Sequence, residues 1–493
     1  MNHPVMRNYV GGAFVDAEAR AMLDVQNPST GGVIARVPLS TNSEVDRAVK
    51  AAALAYPAWS RTPVARRVKP LFDLLERLRA DEEGICRVLV EEMGKSLPDA
   101  RAEMKRTIEN VEVACAMPML QQGERLSGAS LDIDGEVLRV PIGVFGMIAP
   151  YNFPAMVPFW FLPYAVATGN TFVLKASEQV PCTMQRIFEH IHAAGFPQGV
   201  LNLVNGDRTA AEALVEHPDV AGISFVGSTA VARQVASRCA AQGKRFQALG
   251  SAKNHLVVMP DARVDEVVRN MISSCFGCAG QRCMASSAIV AVGEDTYRTV
   301  LDRFVAAARE VAVGDPLDPA FAEEQMLMGP VISARHKDFV LARIEDGIRE
   351  GATLALDGRV RTIPGREGGH FLGTTVLADV KPGMSVHLTE IFGPVVVMMK
   401  ADSFDEAVGI LNAHPYGNGA SIYTQNGWWA RRFKLEARAG MIGINVGIPA
   451  PVAYLPFGGT KASAFTDIKA QGREVVQFFT ESRIVTERYW EEV

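Results

Sequence analysis

From about residue 140 onward, short β-rich runs at 144–148, 171–174, 200–204, 222–226 and 256–259 alternate with longer helical stretches. A parallel sheet with helices on both faces accounts for such an alternation. Ligands on sheets of this kind bind beyond the carboxyl ends of the strands. A second α/β unit is expected to begin near Pro260, where a helical run at 264–275 and a strand at 287–292 restart the pattern. Upstream, the first 120 residues read as helices after a short strand-like opening. Thr41 and Glu44 have capping-box spacing ahead of Val45, Ala48, Val49 and Ala52. Thr62 and Pro63 open a second helix with Val64, Val68, Leu71, Leu75 and Leu78 on one face. In the tail, Val475–Phe479 and 484–485 read as β-rich and are expected to pair with another subunit.

Composition sets the outer bounds. A chain of 493 residues, 48% hydrophobic and 21% charged, has the length of about three domains and buries a core without staples. A net charge of -5 gives no general attraction to nucleic acid or anionic membrane. The most apolar stretch, 155–167, is cut by Pro158 and Pro163 and is too short to span a bilayer, and the opening residues lack a signal-peptide core. The seven cysteines form an odd, unpatterned set. Cys275 and Cys278 make a CxxC, but no second pair or His cluster completes a zinc site, so no metal is expected. Reduced thiols and a cytoplasmic location follow from that usage.

Chemistry concentrates behind the strands. Cys283 ends the run Gly280-Gln281-Arg282-Cys283, where small residues leave the backbone accessible and Arg282 adds charge that favours a thiolate. A cysteine without context is most often a buried structural thiol. Asn152, between Pro150 and Pro154 after the first β-run, is placed to aim an amide at an oxyanion, although isolated turn asparagines are common. The next strand ends at Lys175, with Glu178 just beyond. The strand after 220 ends in Phe225-Val-Gly227-Ser228-Thr229, a small polar turn able to open a helix against a phosphate. No Gly-x-Gly-x-x-Gly follows the strand at 144–148.

These pieces together resemble the aldehyde dehydrogenase superfamily over nearly the whole chain. The likeness rests on YNFP at 151–154, GNTFVLK at 169–175, FVGST at 225–229, GQRC at 280–283, EIFGPV at 390–395 and PFGG at 456–459, in the family's order and spacing. The resemblance implies an α/β fold: a Rossmann-like cofactor domain (1–125 and 148–259), a catalytic domain (260–445) and a small β oligomerisation element (126–147 and 470–493). It further implies Cys283 as nucleophile, with Asn152 and the Cys283 N–H as oxyanion donors. Lys175 and Glu178 match the adenosine-ribose positions, Gly227 and Ser228 the pyrophosphate, and Glu390 with Phe392 the nicotinamide ribose. A carboxylate at Glu178 repels a 2′-phosphate, favouring NAD over NADP. A homodimer or homotetramer acting on a small-molecule aldehyde is the implied form.

One family residue is missing. Hydrolytic members carry a Glu that activates water, and Leu249 stands in its place. An alkyl group accepts no proton. Either another base serves, giving a free acid, or the acyl group passes to a better nucleophile such as coenzyme A. The Lys253-Asn254-His255 run, Arg282, the segment from Arg106 to Val111 and the run at 447–451 resemble the methylmalonate- or malonate-semialdehyde dehydrogenase branch, which acylates coenzyme A. In that branch, arginines at the positions of Arg106 and Arg282 hold the substrate carboxylate, a role suited to forked guanidinium groups. Decarboxylation to propionyl-CoA or acetyl-CoA would follow thioacylation. Three features depart from the branch: Ser251 in place of Gly, Leu249-Gly250 in place of Asn-Met, and the less aromatic loop Gly459-Thr460-Lys461. A binding or scaffold protein that kept the fold and lost turnover is the alternative from another class.

Overall fold

The computed structural model describes residues 3–321, 327–447, 449 and 452–490. Its first sheet has eight strands, and five central ones are parallel. Their spatial order is Leu201–Val204, Thr171–Lys175, Val144–Ile148, Val220–Val226 and Arg245–Leu249. Numbered along the chain, that order is 3-2-1-4-5, the doubly wound arrangement. Connections leave in opposite directions from the first and fourth strands, opening a crevice between their carboxyl ends. The first two of these strands in chain order are buried on both faces, which is why they read as unbroken apolar runs. The helices Asn42–Arg61 and Arg208–Glu216 cover one side of the sheet. The first begins as its spacing predicts: Glu44 Oε2 accepts from the Thr41 N–H at 2.8 Å.

A second sheet of seven strands is parallel apart from one edge pair. It runs from Thr353–Leu356 through Thr375–Ala378, Val395–Ala401, Ala288–Val292, His255–Val258 and Gly419–Tyr423 to Met441–Ile444. The run expected at 256–259 therefore belongs here, five residues before the expected restart at Pro260. Periodicity alone does not say which sheet a buried strand joins; the first sheet is already closed beside Arg245–Leu249 by the antiparallel pair Ala464–Phe465. A third sheet is antiparallel and three-stranded: Glu124–Ser130, Ile133–Pro141 and Thr480–Arg488. Residues 144–147, expected to join it, lie instead at the centre of the first sheet.

Two local expectations are corrected. Val475–Phe479 is a helix, not a strand. Both its Val and Phe pairs are buried, and Phe479 meets the ring of Phe145 at 4.8 Å. An all-apolar run carries no period, so packing decides. The helix expected from Thr62 breaks into Val64–Arg67 and Lys69–Ala80. Pro70, which has no N–H to donate, sits in the first turn of the second piece, where none is needed. Among the described residues, no helix is long and apolar enough to cross a membrane.

Three buried imidazoles join elements around the second sheet. The His414 Nε2–H donates to the His387 carbonyl at 3.1 Å while its Nδ1 accepts from the Tyr416 N–H at 3.1 Å. His387 Nδ1 accepts from the Gly383 N–H at 3.4 Å, leaving its Nε2–H to donate to His255 Nε2 at 3.0 Å. Every ring is thereby fixed as neutral. Burial, reinforced by His414 and Lys253, holds His387 down to about 3, and burial, reinforced by Lys253 and Lys461, holds His414 down to about 4. In an unfolded chain both would protonate near about 6.5. The unfolded state therefore binds more protons below that pH, and stability is lost as pH falls from about 6.5 towards 4. At pH 5 the expected loss is about 2 kcal/mol per ring. Urea unfolding at pH 7 and pH 5 measures it, and His414→Asn should reduce the pH dependence by about one ring's share. Equal dependence in the two proteins would contradict this account.

Candidate active site

A cavity of about 650 Å³ occupies the crevice of the first sheet and reaches Cys283. A second cavity, of about 400 Å³, approaches Cys283 from another side. The thiol stands where the two meet.

Cys283 reaches this position through an unusual turn. After the helix Val264–Phe276, three consecutive residues (Cys278, Ala279 and Gly280) take φ values of +50°, +53° and +72°. At Gly280 a Cβ would lie 2.2 Å from the Gly393 carbonyl oxygen, so only glycine permits this approach. That contact presses the cysteine turn against the 390–393 turn. From the second sheet, Asn254 and Asn418 both donate side-chain N–H groups to the Cys283 carbonyl, at 2.9 and 3.0 Å. Burial, then the charge of Glu390, pushes the Cys283 thiol up to about 12. The N–H groups of Cys283 and Met284 oppose that shift, and Arg282 opposes it least of the causes. Arg282 thus acts on the thiol in the expected direction but weakly: its guanidinium is ion-paired with Asp99, and its Nε–H donates to Cys278 Sγ at 3.2 Å.

Asn152 lies in the loop after the strand Val144–Ile148 and is buried. Its Nδ2 donates one hydrogen to the Gln281 carbonyl at 3.0 Å, two residues before Cys283. An amide nitrogen carries a second hydrogen. Lys175 ends its strand in a 2.6 Å ion pair with Glu178, and both line the larger cavity. Gly227 and Ser228 line it too, and Ser228 is the cap of the helix Thr229–Ala241. Glu390 Oε1 accepts from the Ala252 N–H at 2.8 Å, yet burial pushes its carboxyl up to about 7. Phe392, with φ +56°, sets its ring edge-on to Tyr151, and its carbonyl accepts from His336 Nε2–H at 2.7 Å.

The smaller cavity is lined by Arg106, Arg282, Phe153 and Trp160. Arg106 is in a 2.6 Å ion pair with Glu109 and remains partly exposed. Leu249 is buried at the end of its strand, in the apolar cluster against which Cys283 packs. Of the run at 447–451, residues 448, 450 and 451 lie outside the described residues. The Gly447 carbonyl accepts from Ser286 Oγ at 3.0 Å.

The structure thus brings the nominated residues to two joined cavities. Sequence reasoning missed several residues that hold them there: Asp99 on Arg282, His336 on Phe392, Asn418 on the turn of Cys283, and Lys95 with Glu103 beneath Asn152. Asn418 had a local signal, between glycines at the start of a strand. A buried partner far away in the chain leaves none.

Comparison with known proteins gives one consistent result. The pattern of the Aldehyde dehydrogenase family matches residues 14–485. Malonate-semialdehyde dehydrogenase 1 of Geobacillus kaustophilus is 45% identical over 485 residues, 98% of each chain. Among solved structures, a methylmalonate-semialdehyde dehydrogenase from Oceanimonas doudoroffii superposes with a TM-score of 0.96 at 39% identity, over 100% of this chain and 99% of that one. A provisionally named methylmalonate-semialdehyde dehydrogenase from Sinorhizobium meliloti, solved with NAD, gives 0.97 at 37%, again over 100% and 99%. With a doubly wound sheet, a cysteine at the junction of two cavities and a match along almost its whole length, this chain belongs to the aldehyde dehydrogenase family.

Proposed function

We propose that this protein oxidises malonate semialdehyde or its methyl homologue with NAD and passes the acyl group from Cys283 to coenzyme A. The observation that carries the reading is Leu249, an alkyl side chain at the end of the strand Arg245–Leu249 and part of the apolar cluster against which Cys283, the cysteine reached by two cavities, packs. The relatives' names supply the substrate class.

The larger cavity has the size and donors for a dinucleotide. The first turn of the helix capped by Ser228 would hold the pyrophosphate, Glu178 beside Lys175 would take the hydroxyls of one ribose, and Glu390 with Phe392 those of the second. Bound NAD supplies the hydride acceptor. On the protein's side, Cys283 gives up its thiol proton, which Glu390 on the same cavity is able to accept, and Sγ bonds to the aldehyde carbon. Asn152, with its remaining amide hydrogen, and the Cys283 N–H stabilise the oxyanion. Loss of hydride from the adduct leaves a thioester on Cys283. The coenzyme A thiolate then attacks the acyl carbon and releases Cys283. For a β-carboxylated acyl group, the bond to the carboxylate breaks after thioacylation, carbon dioxide leaves (as bicarbonate once hydrated), and the thioester enolate so formed takes a proton from water. Arg106 and Arg282 orient that carboxylate, Arg282 while sharing its charge with Asp99. The first-sheet unit binds cofactor, the second-sheet unit carries the nucleophile, and the three-stranded sheet, with Leu126 and Ile484 exposed, joins subunits.

A hydrolytic reading has one observation in its favour. Glu390, held near 7 and on the same cavity as Cys283, is able to accept a proton from water.

The two readings separate in one assay. Mixing protein, NAD and malonate semialdehyde should release one NADH per site in a burst, with continued turnover only when coenzyme A is added. Steady NADH formation without any thiol would establish hydrolysis instead, and Cys283→Ala should abolish both phases. Arg106→Ala is expected to raise KM for malonate semialdehyde by about 10- to 100-fold, the worth of a charge-assisted bond, and to leave propanal oxidation unchanged. Glu178→Gln should improve binding of NADP relative to NAD by about tenfold, measured by fluorescence titration, because the repelling carboxylate is gone.

A further inference from the structure

Beneath Asn152 lies a buried ion pair that the reaction scheme above leaves unused. Lys95 Nζ and Glu103 Oε2 are 2.5 Å apart, and both side chains are completely buried. Lys95 follows the helix Glu82–Met93, and Glu103 lies within the next helix, Leu97–Cys115. The ammonium also donates to the Asn152 carbonyl at 2.8 Å and sits 4.1 Å from the ring centre of Phe153. The other carboxylate oxygen, Glu103 Oε1, accepts from the N–H groups of Ala155 and Met156, at 2.9 and 3.1 Å. One pair of opposite charges thus grips both ends of the turn that carries Asn152.

Stability does not explain such a pair. Burying two charges costs several kcal/mol, and apolar replacements are often as stable or more so. A geometric role fits better, because displacement of a catalytic group by about 1 Å costs about 100-fold in rate. We propose that Lys95 and Glu103 are positioning residues that hold the Asn152 amide where the oxyanion forms on the Cys283 adduct. This rests on the oxyanion role given to Asn152, and the test separates the two ideas.

The probe is p-nitrophenyl acetate, which requires neither cofactor nor the right aldehyde. Cys283 thiolate bonds to the acetyl carbon through a tetrahedral oxyanion, the aryl ester C–O bond breaks, and p-nitrophenolate leaves. Iodoacetamide is the control, since displacement of iodide passes through no oxyanion. Asn152→Ala should slow the p-nitrophenolate burst by about 100-fold or more and leave alkylation within about twofold. Lys95→Met should slow the burst at least about tenfold in the native background, but less than about twofold in the Asn152→Ala background, since coupled residues are not additive. Should Lys95→Met fold poorly, as judged by thermal melting, the paired variant Lys95→Met/Glu103→Gln removes the unpaired buried charge while keeping an acceptor for the two N–H groups, and the same non-additivity is expected. If Asn152→Ala acylates at the native rate, the oxyanion reading fails. If Asn152→Ala is slow but the Lys95 substitution adds its full cost on top, the positioning role is overturned.

Discussion

The approach of Gly280 to the Gly393 carbonyl is the constraint from which the site's geometry follows. It brings the end of the helix Val264–Phe276 onto the turn that carries Glu390 and Phe392, with no side chain between the two backbones. The left-handed run at 278–280 is what lets the chain make that approach and still deliver Cys283 to the cavity mouth. Strain of this kind persists only where surroundings over-determine it. Here the Gly280–Gly393 contact, Asn254 and Asn418 supply that determination from three directions.

The electrostatics of the pocket follow the same economy. Cys283 is held as a thiol by its own desolvation, although an arginine is its chain neighbour. Asp99 absorbs the charge of Arg282, and Glu109 shares that of Arg106. The smaller cavity therefore presents guanidinium groups already in partnership, whose attraction for an incoming carboxylate is tempered. Shared pairs of this type favour a ligand that matches their geometry over one that merely carries negative charge.

Much of the architecture was legible in the residues because its determinants are local. Buried strands announced themselves as apolar runs, and Thr41 with Glu44 marked a helix start that the structure shows. The family resemblance was legible because each of its motifs is a short contiguous run, and two of them, YNFP and FVGST, lie at the ends of strands of the first sheet. What could not be read was set by long-range packing. The strand His255–Val258 is as apolar as those of the first sheet, and only the completed edge beside Arg245–Leu249 sends it to the second. The helix Val475–Phe479 has residues that favour strands, yet burial against Phe145 overrides that tendency. Asp99 and Arg282 are 183 positions apart, and nothing near either one announces the other. The imidazole trio assembles from three separate segments for the same reason.

Access to the sulfur from two sides has a consequence for traffic through the protein. Under the proposed function, a spent nucleotide and an arriving acyl acceptor need not share a doorway, so departure of one does not have to precede arrival of the other on steric grounds. Any compulsory sequence of events would then have to be imposed by rearrangement of the turns around the sulfur, and not by congestion in a single tunnel.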